Sequence, residues 1–282
     1  MDRELVLAAL AVLVVGAAVP VGALLAAPFE CADDPRRPGR DLERRTTRRL
    51  LIPLLPSAFV VAILLGWVIV EPEASERVPW SACVVAAPVL LVWSRALGRA
   101  VHALVPRRVR TAATVGLVAP RVILDARFAG QVDEHALQAV LAHERAHVAH
   151  RDPLRIWLGQ IVTDLQWPIP GARIRFMRWL MALELARDEE ARGEVEGADL
   201  AAAIIAAARI ERPTPYAHAG IAPADAALKL RVERLLGPAP AAAAAGSLRA
   251  PTLLFLLVIA ASFFLGAGFG ESLVRQVLGW GH

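Results

Sequence analysis

Four long apolar runs, separated by polar segments, dominate the pattern of the chain. They cover residues 5–27, 50–70, 80–97 and 253–269. Runs of about 20 apolar residues are long enough to cross a bilayer as helices. The pattern predicts a mainly α, polytopic membrane protein with about four transmembrane helices. The first run resembles a signal peptide in position, but Asp2 and Glu4 offset Arg3, so a basic leader is missing and we expect a retained span.

The polar segments between the runs predict the topology. Seven arginines crowd between residues 36 and 49, in a segment (28–49) that we interpret as a polar loop, whereas residues 71–79 are short and acidic. Arginine-rich segments mark the cytoplasmic side of a membrane protein. We therefore expect three spans in residues 1–97 with a cytoplasmic Arg-rich loop, a cytoplasmic domain at 98–249, and a C-terminal span with a short tail at 250–282.

Composition supports a membrane protein and no direct nucleic-acid partner. The chain is 56% hydrophobic and carries a formal net charge of +4, with Lys229 as its single lysine. Because the arginines cluster beside apolar runs, we read the positive charge as a topology signal at a plasma (inner) membrane, with the lipid bilayer as partner. The two cysteines, Cys31 and Cys83, do not indicate a disulfide framework.

The segment 98–249 predicts a compact helical domain with a short β element. A turn and a strand at 121–124 precede a helix that begins after Asp133, a favourable N-cap. Asp152 and Pro153 predict the cap and first turn of the next helix, which extends to about Trp167. Further helices are expected at about 173–193, 198–209 and 224–236, followed by a low-complexity linker at 238–247.

The helix after Asp133 contains the candidate chemistry. His143, Glu144 and His147 form an HExxH pattern, which on a helix places both imidazoles on one face within reach of one Zn²⁺ ion. Glu144 then lies beside the metal, where it can take a proton from a water molecule. Structural zinc has no need of such a glutamate, so the pattern favours an enzyme over a zinc-containing scaffold.

A catalytic zinc normally has a third protein ligand, and a later helix offers one. Glu184 is the predicted third metal ligand, and Asp188, one turn further, can accept a hydrogen bond from a ligand histidine. Glu189 and Glu190 are expected to be solvated. The donor that would stabilise an oxyanion stays open at this stage, among His150, Tyr216, His218 and an arginine.

These motifs, in this order, resemble the membrane-embedded zinc peptidases of the beta-lactam sensor-transducer (BlaR/MecR-like) family. The resemblance covers about residues 80–275, and Arg145 departs from it because that position is usually apolar in the family. The motifs are Gly116-Leu117-x-x-Pro120-x-Val122-x-Leu124, His143-Glu144-Arg145-Ala146-His147, Arg151-Asp152-Pro153-Leu154, Trp167-x-x-Pro170, Glu184-x-x-x-Asp188-Glu189 and Leu230-Arg231-x-x-Arg234-Leu235-Leu236.

The resemblance implies a membrane-bound, gluzincin-like zinc metalloendopeptidase in regulated proteolysis or signal transduction. Its substrate would be a cytoplasmic or membrane-proximal protein or peptide, with a transcriptional repressor or the protein itself as candidates. We expect no extracellular penicillin-binding domain, so direct antibiotic sensing is not implied. The alternatives are an HtpX-like quality-control peptidase and a non-hydrolytic zinc-containing signalling scaffold. The HtpX-like and CAAX-prenyl peptidases share the HExxH pattern and the later Glu-x-x-x-Asp pattern.

Overall fold

A computed structural model describes the greater part of the chain. The described residues are 16, 18–19, 21–22, 34, 36–70, 80–105, 108–210, 224–238, 257, 259–265 and 267–268. Most of the first apolar run and part of the fourth lie outside them. So do the acidic segment 71–79, residues 239–247 of the predicted linker, and the C-terminal tail.

The described part is mainly helical, as the sequence predicts. The strands are β1 (Ala112–Val115) and β2 (Arg121–Leu124). The helices are α1 (Gly39–Leu51), α2 (Leu55–Val70), α3 (Trp80–His102), α4 (Ala126–Ala129), α5 (Glu134–Ala149), α6 (Asp152–Leu165), α7 (Pro170–Ala191), α8 (Gly197–Ile210) and α9 (Ala224–Leu236).

The two strands form a small antiparallel hairpin beside α5. Thr114 of β1 is opposite Val122 of β2. Gly116 begins the turn with φ +99°, a left-handed conformation that a residue with a side chain rarely adopts. The predicted strand at 121–124 is confirmed as β2, whereas β1 lies where no strand was predicted.

Helix α5 forms where its cap and its small residues predict it. The Asp133 side chain accepts a hydrogen bond from the backbone N–H of Ala136 at 2.8 Å, which confirms the predicted N-cap. Small side chains let α5 approach α8 closely, in a core to which α9 contributes Leu235 and which leaves the histidine-bearing face of α5 directed elsewhere. The core residues include Ala139, Ala142, Leu200, Ala201, Ile204 and Leu235.

The Arg-rich segment differs from the predicted loop, because from Gly39 to Leu51 it is the helix α1. Leu42, Thr46 and Leu50 recur every four residues and are buried, so they form one face of a helix among the arginines. That face packs on α7. Where Gly39 meets α7, a Cβ atom would lie 2.6 Å from the backbone nitrogen of Ala186, so the two helices are in backbone contact there.

One apolar helical stretch could cross a membrane by its length and composition, considering the residues that the structure describes. It is Gly39–Ile63, whose most apolar 18-residue window has a mean hydropathy of 1.4, and in which α1 continues through a 3-10 turn at Ile52–Leu54 towards α2. The predicted four spans are therefore unconfirmed. Large apolar side chains on α2 and α3, such as Leu65, Ile69 and Leu97, are exposed.

Helix α3 is joined to α6 by polar contacts. Asp164 is buried and lies 3.2 Å from the Arg95 guanidinium and 2.9 Å from that of Arg99. Trp157 donates its indole N–H to the carbonyl of Ala100 at 2.9 Å. These contacts tie the third apolar run to the domain, and Arg95 pairs with a carboxylate rather than extending freely towards the membrane surface.

Candidate metal centre

Three side chains from α5 and α7 converge at one point. The Nε2 atoms of His143 and His147 are 3.0 Å apart. Oε2 of Glu184 lies 3.5 Å from Nε2 of His143, and Oε1 lies 3.7 Å from Nε2 of His147. The three donors, two imidazole nitrogens and a carboxylate, form a set that could hold a metal ion.

The two helices present these donors on facing surfaces. His143 and His147 are one turn apart on α5 and both are buried, whereas the Glu184 side chain is 33% exposed. The site is therefore closed on the side of α5 and accessible from the side of Glu184. Catalytic zinc sites have three protein ligands and keep a fourth position for water, and the three donors here match that number.

His147 is oriented by Asp152, which is fully buried. Nδ1 of His147 donates to Oδ2 of Asp152 at 2.9 Å, and this bond leaves Nε2 directed at the candidate centre. The chain turns back sharply because Arg151 takes a left-handed conformation, with φ 52°. The prediction that Asp152 is a helix cap is therefore wrong: the N-cap is Arg151, and Asp152 is the first residue of α6.

His143 lies against a second carboxylate. Its Nδ1 is 2.9 Å from Oδ1 of Asp188, although the oxygen lies off the line of the ring N–H bond. Arg231 of α9 holds Asp188 with two parallel hydrogen bonds of 2.8 Å. The same guanidinium lies 3.1 Å from Oε2 of Glu184. Arg231 thus fixes both carboxylates of α7 that face His143.

The carboxylates set the charge of the centre. Burial alone lowers the pKa of His143, but Asp188 and Glu184 outweigh burial and raise it to about 9. Burial favours the neutral form of Glu184, yet Arg231 and the histidines hold its pKa well below the usual range. Burial also opposes ionisation of Asp152, whose pKa His147 and Arg187 keep well below normal. These ionised carboxylates suit a bound cation.

Glu144 is buried next to the centre and is held by β1. The Thr114 hydroxyl lies 2.7 Å from Oε2 of Glu144 and 3.0 Å from the Glu144 carbonyl oxygen, so it can donate to either. The charge of Glu144 also acts on Arg231, although desolvation is the largest influence on the pKa of that arginine. Glu144 is therefore a buried carboxylate next to His143 whose position the Thr114 hydroxyl of β1 fixes.

The remaining predicted residues lie elsewhere. Nε2 of His150 is 2.9 Å from Glu190, outside the three-donor cluster. Glu189 and Glu190 are paired rather than freely solvated, since Glu189 accepts the Gly39 N–H at 2.7 Å. Arg145 is exposed and lies 3.5 Å from Glu194, which shows how α5 accommodates it. Two oxyanion candidates, Tyr216 and His218, fall outside the described residues.

Sequence reasoning missed the roles of Asp152, Thr114, Arg187 and Arg231. Arg151-Asp152-Pro153 and Leu230-Arg231 stand out as motifs, and these were the available signals for two of them. Nothing in the local sequence distinguishes Thr114 or Arg187 from other polar residues, because their contacts depend on how β1, α6 and α7 pack.

Two helices that bring a His-His-Glu cluster together beside a buried glutamate define a metallopeptidase class of site. The model of the family BlaR1 peptidase M56 matches residues 59–235, more than half of the chain. The chain therefore belongs to this BlaR/MecR-like peptidase family, as its motifs predicted. No curated protein and no solved structure matched the chain.

Proposed function

We propose that the protein is a membrane-bound zinc endopeptidase whose metal ligands are His143, His147 and Glu184. The observation that carries the proposal is the convergence of these donors, at 3.0, 3.5 and 3.7 Å from one another. Ligand atoms about 2.1 Å from a tetrahedral zinc ion are about 3.4 Å apart, so small adjustments accommodate the ion. Two imidazoles and one carboxylate are a donor set typical of catalytic zinc.

A zinc ion held there would polarise the carbonyl of a peptide bond and lower the pKa of a water molecule. Glu144 is the proposed general base, which accepts the proton of the attacking water and passes it to the leaving amine. Thr114 orients the Glu144 carboxylate. Asp188 and Asp152 orient His143 and His147 through their Nδ1 atoms, so that both Nε2 atoms remain available as ligands.

The experiment that tests this function measures the metal content and the proteolytic activity of the purified full-length protein in detergent. We expect one zinc ion per chain and cleavage of dye-quenched casein that a chelator removes and added zinc restores. A protein that binds no zinc, or cleavage that persists without metal, would overturn the proposal.

We propose that the substrate is a cytoplasmic or membrane-proximal protein, cleaved in regulated proteolysis. A transcriptional repressor and the protein itself are the two candidates, and membership of the BlaR1 peptidase M56 family supports this over an HtpX-like quality-control role. A non-hydrolytic scaffold is disfavoured because Glu144 and the accessible Glu184 are features that a structural zinc site does not need.

We further propose a multi-pass protein of the plasma membrane with the metal centre on the cytoplasmic side. The N–H of Gly39 donates to Glu189 at 2.7 Å, so the Arg-rich helix α1 and the centre share one side of the membrane. Because arginine-rich segments remain in the cytoplasm, that side is the cytoplasmic one.

Reporter fusions test this topology. Fusions after residues 40 and 200 are expected to report the cytoplasm, and a fusion after residue 75 the outside, because the acidic segment 71–79 separates two apolar runs. Opposite locations for the fusions after 40 and 200 would contradict the contact between α1 and α7 as well as the orientation.

A further inference from the structure

Helix α1, which precedes the family match, reaches the candidate metal centre through a buried ionic network. Glu43 lies 2.6 Å from Arg155 of α6 and 3.3 Å from Arg187 of α7. Both arginines contact Asp152, which accepts the hydrogen bond of His147. A chain of three contacting side chains therefore connects α1 to His147, a proposed metal ligand. They are Glu43, Arg187 and Asp152.

Burial makes the charge balance of this network consequential. Asp152 and Arg187 are fully buried, and the Glu43 side chain is only 12% exposed. The guanidinium groups of Arg187 and of Arg155, which is a third exposed, face the carboxylates of Glu43 and Asp152. Glu190 lies further from Arg187, at 3.8 Å, and is shared with Arg40 and His150. A buried charge that loses a partner is destabilised, and screening by solvent is weak at such a depth. Without the Glu43 carboxylate, Asp152 and the more distant Glu190 would be the acidic partners left to these arginines, so the surroundings of His147 would become more positive.

We propose that Glu43 is a positioning residue for the metal centre, so that α1 is a working part of the peptidase. Glu43 pairs with Arg155 and Arg187, so these arginines offset less of the negative charge of Asp152. Asp152 then stays aligned with His147, and its charge favours a cation there. This inference rests on the proposed zinc site. It goes beyond it because α1 (Gly39–Leu51) lies before the matched residues 59–235.

Helix α1 connects this network to the candidate membrane-crossing stretch. The same helix begins the stretch Gly39–Ile63, which is long and apolar enough to cross a membrane. The buried residues of α1 fit α7 closely, and the Trp179 indole donates to the Thr47 hydroxyl at 2.9 Å. A displacement of this helix along α7 would withdraw Glu43 from Arg187, and the contact of Arg187 with Asp152, the partner of His147, would change.

The test is a set of zinc affinities measured on full-length protein in detergent, by competition with a zinc-binding dye. Glu43→Gln should raise the Kd for zinc about fivefold, less than the 10- to 100-fold typical of losing a direct partner of a ligand histidine. Arg155→Gln should not raise the Kd, because it removes a positive charge while Arg187 still holds Asp152. The double variant should return close to the wild-type Kd.

Asp41→Asn is the matched control, because Asp41 is on the same helix but contacts Arg45 of that helix and Arg37 just before it, rather than α6 or α7. Its Kd should equal that of the wild type. An unchanged Kd for zinc in Glu43→Gln would overturn the inference. A raised Kd for zinc in Arg155→Gln would also overturn it, and this second result can be obtained even if Glu43→Gln fails to fold. A wild-type protein without zinc would instead refute the proposed function.

Discussion

Replacing Glu144 with glutamine should abolish proteolysis while zinc stays bound. Glutamine has nearly the same shape and keeps an oxygen that can accept the Thr114 hydroxyl, now 2.7 Å from Oε2 of Glu144. It cannot take a proton from water. General-base catalysis contributes about 10²- to 10⁴-fold, so we expect kcat on dye-quenched casein to fall by about 10³-fold.

Zinc content measured on the same samples separates loss of the base from loss of the site. Glu134→Gln is the matched control, because Glu134 is an exposed residue in the first turn of the same helix and the variant has the same change in charge. It should retain both zinc and activity. Undiminished cleavage by Glu144→Gln would refute the proposed mechanism, even if zinc is present.

Much of the domain was predictable because local sequence signals, such as N-capping residues, mark where its helices begin and end. Asp133 caps α5 as predicted, and α9 spans the predicted residues Ala224–Leu236. The strand 121–124 was also predictable, from the apolar residues that follow Pro120. In each case the local sequence determines the element, whatever it packs against.

Helix α1 was not predictable from the same signals. Its arginines dominate the composition, and only the four-residue spacing of Leu42, Thr46 and Leu50 indicates a buried face. That face becomes meaningful when α7 is present to cover it. The paired state of Glu189 and Glu190 was missed for the same reason, since their partners on α1, Gly39 and Arg40, lie 150 residues away in the sequence.

The donor cluster could be anticipated more fully than the residues around it. The spacing of His143 and His147 places both rings on one helical face without any tertiary information. Asp152 is close in sequence, but it reaches His147 only through the left-handed turn at Arg151. Arg231 depends on the packing of α9 against α7, which no local pattern reveals. Asp188, one turn after Glu184, was the positioning residue that the sequence did indicate, whereas those whose contacts depend on tertiary packing were missed.

Replacing Glu184 with alanine should remove most of the bound zinc. Structural zinc sites bind with about 10–16 kcal/mol, so one of three or four ligands is worth about 3 kcal/mol, or roughly a hundredfold in Kd. Loss of Glu184 also leaves Arg231, which lies 3.1 Å from its carboxylate, with Asp188 as its nearest remaining carboxylate, so the charge beside the histidines becomes more positive. Both effects weaken zinc binding, and cleavage at submicromolar free zinc should fall in proportion to occupancy.

The control for this variant is Glu194→Ala, which removes an exposed carboxylate just beyond α7 that pairs only with the exposed Arg145 among its described contacts. Its zinc affinity should match the wild type. Glu184 is a third exposed and belongs to no apolar cluster. The metal-free variant should therefore melt close to the temperature of the metal-free wild-type protein. A Kd for zinc unchanged in Glu184→Ala would remove Glu184 from the ligand set, and the two histidines would then need a third donor from another element.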